Sequence, residues 1–148
     1  MTFEAILASL HLLAILTLVV FLSSETALCR VEWMNEAVVR RLARLNCIFG
    51  WTLLILTLTG LARVFWGIKG TSWYVSQPLF HLKMLLFVIT IALATRPMRT
   101  LRQWMKTLQM TGALPDPEAV RSTRRWLMVQ AHLIPVIAVI AVFWVRGM

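Results

Sequence analysis

Six residues inside the apolar stretches of this chain carry side chains that can do chemistry: His11, Arg63, His81, Lys83, Gln130 and His132. A charged group in hydrocarbon costs on the order of 2–3 kcal/mol or more, so each ionisable one marks a site or an escape to the interface. A helix rises about 1.5 Å per residue, which sets His11 about 12 Å beyond Phe3 and His81 about 5 Å beyond Pro78. Lys83 is slightly deeper, and Arg63 lies three residues from the end of its segment. His132 precedes Val145 by thirteen residues and falls near the middle or inner half. Four of the five ionisable groups therefore gather toward one edge of the membrane, on three different segments.

Histidines on facing helices can hold haem iron through neutral imidazole nitrogens at both axial positions. His11 and His81 are the expected pair, with His132 as an alternative ligand and Met84 as a soft alternative beside His81. Arg63 and Lys83 stand where they would neutralise the propionates of haem b. Residues 81 and 83 point about 200° apart on a helix, so only one of them aims at the bundle centre; His81 is expected to face inward. Each residue has a plain alternative. A lone intramembrane histidine can hydrogen-bond a neighbouring helix, and Arg63 and Lys83 can snorkel to the interface. Pro135 kinks its helix and frees the carbonyl of Ala131, next to His132. The eight Met residues form no copper-binding cluster, and the seven Trp sit mostly at interfaces.

The elements that position these residues follow from composition. Hydrophobic residues make up 59% of the 148 and charged residues 14%, against roughly 25% charged in a soluble domain. The class is an all-α integral membrane protein of one domain. Four stretches reach the roughly 20 apolar residues that cross a bilayer: about 3–22, 49–66, 78–95 and 126–145. The first begins with Glu4 and no positive charge, unlike a cleavable signal peptide. Arg30, Arg40, Arg41 and Arg44 fill the first loop; Arg96, Arg99, Arg102, Lys106, Arg121, Arg124 and Arg125 fill the third. These eleven stand against Arg63, Lys69 and Arg146 at the other edge, or four with Lys83. The positive-inside rule makes loops one and three cytoplasmic. The expected fold is an antiparallel four-helix bundle in a bacterial inner membrane, both termini on the non-cytoplasmic side. The net charge of +9 then reads as loops facing anionic lipid, not nucleic acid.

Two segments flank the spans with amphipathic patterns. In 36–46, Val38, Val39, Leu42 and Leu45 oppose Arg40, Arg41 and Arg44; in 100–110, Leu101, Trp104, Met105 and Leu108 oppose Arg102 and Lys106. Both are expected at the lipid surface. Asp116, Pro117 and Glu118 form a helix start that leads into the fourth span. Trp73 and Tyr74 belong to an interface. Cys29 and Cys47 lack the neighbours of a zinc or disulfide site.

The run Thr59-Gly60-Leu61-Ala62-Arg63-Val64-Phe65, then Lys69-Gly70, Trp73-Tyr74, Pro78, Lys83 and Leu86-Phe87, resembles the bacterial membrane family known as domain of unknown function 2214. Leu133-Ile134-Pro135 and Arg146-Gly147 extend the resemblance over nearly the whole chain. The wider group includes the HemJ-type protoporphyrinogen oxidase and the CopD membrane domain. Leu10-His11 is similar to the Leu-His pair of the HemJ first helix, and His81-Leu82-Lys83 to the His-x-Lys core of its third. The resemblance implies His11 as a haem b ligand, with His81 and Lys83 in the same cluster. Leu93-Ala94 stands where the HemJ type has Tyr-His, so haem binding transfers better than porphyrinogen oxidation.

The expected function is haem b binding with an electron-transfer or HemJ-like oxidase role. The alternative is a non-catalytic accessory or assembly subunit of a respiratory or photosynthetic complex, whose partners are lipid and other subunits. Copper handling would need more than three dispersed histidines, and nothing suggests the inverted repeat of a transporter.

Overall fold

A computed structural model describes residues 2–67 and 70–145. Lys69 and the Arg146-Gly147 pair fall outside the described residues. The described chain is helical, without strands: α1 (Thr2–Leu28), α2 (Glu36–Trp66), α3 (Gly70–Val75), α4 (Pro78–Thr111) and α5 (Pro117–Val145). A single 3₁₀ turn, Val31–Trp33, lies between α1 and α2. All but α3 are long and apolar enough to cross a membrane.

Local chemistry fixes where these helices begin and end. The Asn35 side chain accepts from the Val38 amide at 2.9 Å and opens α2. Asp116 does the same for α5, accepting from the Glu118 amide at 3.0 Å. Each cap satisfies one of the amides a helix start leaves unpaired. Gly112 closes α4 at φ 71°, the left-handed conformation glycine adopts without steric cost, and its N–H bonds the Leu108 carbonyl. Inside the spans, hydroxyls return to the carbonyl four residues back: Ser9 to Ala5, Thr17 to Leu13, Ser24 to Val20 and Thr90 to Leu86. Hydrocarbon offers no water, so these bonds let Ser and Thr ride in a span at little cost.

The flanking amphipathic segments are continuous with the spans. The 31 residues of α2 and 34 of α4 extend about 45–50 Å, well past a hydrocarbon core of about 30 Å. Val39 and Leu42 of α2, Leu101, Trp104 and Leu108 of α4, and Val120 of α5 are buried in one core with Cys29. The apolar faces expected at the lipid surface close the protein core instead, because neighbouring helices project equally far and cover them. Arg96 of α4 lies 4.8 Å over the Trp126 ring of α5 and ties that pair together. At the other end, Tyr74 is buried, 5.8 Å from the Phe80 ring, so α3 plugs the helix ends.

Candidate functional site

The spacing of buried residues determines what faces inward. On α1 the inward stripe is Leu7, Ala14, Leu18, Leu22 and Glu25, with half-buried His11 in the gap after Leu7, and Cys29 just past the helix end continues it. On α4 it runs Thr90, Ala94, Pro97, Leu101, Trp104 and Leu108. Steps of three and four residues keep one face of a helix against its neighbours. Stepping back from Thr90 by three and then four reaches Phe87 and Lys83, not His81.

These stripes enclose a cavity of about 190 Å³, lined from every helix. Leu18, Leu56, Thr90 and Ile134 are its most buried lining residues, and Ile137, Ala138 and Phe87 line it further. Its polar groups are few: His11 of α1, Arg63 of α2, Tyr74 of α3 and Lys83 of α4, besides the hydroxyls of Thr57 and Thr90, which bond back to their own helices. An apolar chamber with a few convergent polar groups is the usual form of a ligand site.

Of the expected residues, the cavity brings together His11, Arg63 and Lys83, with Met84 on the same wall. It does not bring His81 or His132. His81 is exposed, and its Nε2 lies 2.8 Å from the Val75 carbonyl. His132 is also exposed, its Nδ1 2.7 Å from the Met128 carbonyl within the same helix. The expectation that His81 faces inward is therefore reversed: Lys83 takes that direction, because it lies in register with the inward stripe of α4.

The hydrogen-bond contact of His11 orients its ring. Its Nδ1 lies 2.9 Å from Thr59 Oγ1. That hydroxyl has one hydrogen, which it directs to the Ile55 carbonyl at 2.9 Å or the Leu56 carbonyl at 3.1 Å. With its hydrogen there, Thr59 accepts from His11 Nδ1–H and the neutral ring carries its lone pair on Nε2; with its hydrogen turned to His11, the roles exchange. Metal-ligating histidines are oriented in this way, by a hydrogen-bond partner on the ring nitrogen that does not meet the metal. Gly60 makes room for this ring: a Cβ there would stand 3.3 Å from His11 Cε1.

The donor set matches a haem at one axial nitrogen, with the Met84 thioether as a second soft donor and two cations for carboxylates. It does not match bis-histidine ligation. The chamber is below the roughly 300–1,000 Å³ of pockets that enclose ligands of drug size, so a porphyrin loads only with the walls displaced. No group of three or more metal-binding His, Cys, Asp or Glu occurs among the described residues.

Sequence reasoning missed Thr59 as the partner of His11, and it placed Tyr74 at an interface although it lines the cavity. It also overlooked a second polar group. Glu25 and Asn46 are buried side by side, away from the cavity, and Gln130 is wholly buried between the two regions.

The sequence pattern of a family described as "Predicted membrane protein (DUF2214)" matches residues 3–148. No curated protein and no solved structure shows a match. Since the match spans essentially the whole chain, the protein belongs to the DUF2214 family of predicted membrane proteins.

Proposed function

We propose that this protein binds haem b in the cavity at its His11 end and passes electrons in the membrane. The observation that carries the reading is the His11–Thr59 contact: with Nδ1 engaged by Thr59 at 2.9 Å, Nε2 is the ring nitrogen left to meet a metal in an apolar, cation-rimmed chamber. His11 would hold the iron and Met84 would face it. Arg63 and Lys83 would receive the propionates, since both are basic and both line the chamber. When bound, haem supplies a one-electron couple whose potential depends on its axial ligands and burial. The chain's own part is to present one oriented nitrogen, exclude water with aliphatic walls and place positive charge at one edge. The similarity of Leu10-His11 and His81-Leu82-Lys83 to the HemJ type supports the ligand class.

The test is a reduced-minus-oxidised absorption spectrum of protein purified from cells supplied with a haem precursor. A Soret band with one haem per chain is the expected result. A folded protein that stays colourless overturns the reading and leaves that of an accessory subunit.

The same proposal includes a topology: an antiparallel bundle in the bacterial inner membrane, with both termini on the non-cytoplasmic side. The eleven basic residues of loops one and three support it. An alkaline phosphatase fused to the C-terminus, active only after export, is expected to be active, and one fused at Leu114 inactive. The opposite pattern inverts the assignment and moves the cavity to the cytoplasmic edge.

A further inference from the structure

The region around Glu25 carries chemistry that the cavity does not use. Glu25 is completely buried on α1, and neither of its carboxyl oxygens has a hydrogen-bond partner. No cation lies within 4 Å of it among the described residues, whose one ion pair is Arg40–Glu36 on the surface. The Asn46 amide of α2 stands beside it. Asn46 is 1% exposed, and its Oδ1 also lacks a donor.

The surrounding elements contribute little that could balance a negative charge. Cys29, four residues on and just past the end of α1, is buried, and its thiol donates to the Val120 carbonyl of α5 at 3.7 Å. Burial above all pushes that thiol up to about 12, so it stays protonated; the nearby Glu25 adds to the rise and Arg124 of α5 opposes it. Arg124 acts on Cys29, and its Nε, like that of Arg30, is buried without a hydrogen-bond partner, but neither arginine makes an ion pair with Glu25. Arg30 turns its guanidinium over the Trp33 ring at 5.0 Å. The buried residues of α4 toward this end, Leu101 and Trp104, are apolar.

An ionised carboxylate enclosed without a cation, with only the Asn46 amide beside it as a donor, is out of balance, and such groups neutralise instead. One proton removes both defects at once. It converts Glu25 to an acid, and the new O–H finds in Asn46 Oδ1 an acceptor that has no other donor. A carboxylic acid and a primary amide are complementary in this way, each offering one donor and one acceptor. The geometry points to a proton-binding site formed by Glu25 and Asn46, separate from the cavity and independent of the haem reading.

Infrared spectroscopy of the protein in lipid bilayers tests it. None of the other five carboxyl side chains is buried in the protein, and the Glu25→Gln variant assigns the band among the six. The wild type is expected to show the C=O band of one protonated carboxylic acid at neutral pH, absent in Glu25→Gln. In Asn46→Leu, which leaves the acid in place, the band is expected to persist but move to higher frequency as its hydrogen bond is lost. The proposal is overturned if the folded wild type lacks the band, if the band survives in Glu25→Gln, or if Asn46→Leu leaves its frequency unchanged. Loss of the wild-type band when sodium chloride replaces choline chloride at constant pH would assign the site to sodium and overturn it equally. Should Glu25→Gln fail to fold, the wild-type band and its shift in Asn46→Leu still decide.

Discussion

His11→Ala is expected to abolish haem binding, whereas His81→Ala and His132→Ala are expected to leave it intact. This ordering is the expected result if the chamber is the site, and it separates three histidines that composition alone treats alike. His11 lines the chamber with its Nδ1 engaged by Thr59 and its Nε2 left for a metal. His81 and His132 are exposed and already bonded to backbone carbonyls. Thr59→Val refines the test, because valine keeps the shape of threonine and removes only the acceptor. Loss of such an orienting partner weakens a metal site by about 10–100-fold. Thr59→Val should therefore bind haem with reduced affinity, and Thr59→Ser should restore it. Haem titration of each purified variant, followed at the Soret maximum, reads all five. Equal losses at the three histidines, or a larger loss at His81 than at His11, would sink the assignment of the chamber.

The same ordering was legible in the sequence through a signal finer than hydropathy. Every long helix buries positions spaced by alternating threes and fours. In α2 they are Val39, Leu42, Asn46, Phe49, Leu53 and Leu56, and in α5 Val120, Thr123, Leu127, Gln130 and Ile134. Extended from α2 by one more step, the stripe reaches Gly60 and then Arg63, both on the chamber wall. Applied to α4 it selects Lys83 over His81, and applied to α5 it passes over His132. A hydropathy window sees only that a segment is apolar, and in lipid both faces of a helix are apolar. The seam is instead visible in where small and polar residues recur.

Glu25 shows the cost of ending a span too early. Hydropathy falls after Leu22 because Ser23, Ser24 and Glu25 follow, and the first span was expected to stop there. The helix continues to Leu28, since the Ser24 hydroxyl bonds back to Val20 and Thr26 to Leu22. Glu25 then falls three residues past Leu22 on the inward stripe, and Cys29 four further. The Thr59 contact was not legible, because sequence fixes the stripe on each helix but not the relative height of two helices.

Phe49→Ala and Trp51→Ala make the opposite comparison, two residues apart on α2. Phe49 is 1% exposed, while Trp51 is 64% exposed on the face away from the core. In a water-soluble protein truncation of a buried Phe costs about 3–5 kcal/mol, part from lost transfer out of water and part from the cavity left behind. In a membrane the transfer part largely drops out, because the separated helix keeps Phe49 in hydrocarbon. What remains is packing: contacts that only the folded bundle provides. Phe49→Ala is therefore expected to destabilise by about 2–3 kcal/mol, below the soluble range for that reason. Trp51→Ala, which exchanges one lipid contact for another, should stay within about 0.5 kcal/mol of the wild type. Reversible unfolding in mixed detergent micelles measures both. Equal costs would mean that lipid, not the neighbouring helices, solvates Phe49, and the seam of α2 would have to be redrawn with Trp51 on it. Since His11 is placed by its contacts with Thr59 and Gly60 on that same helix, the rotation of α2 decides the chamber as well as the core.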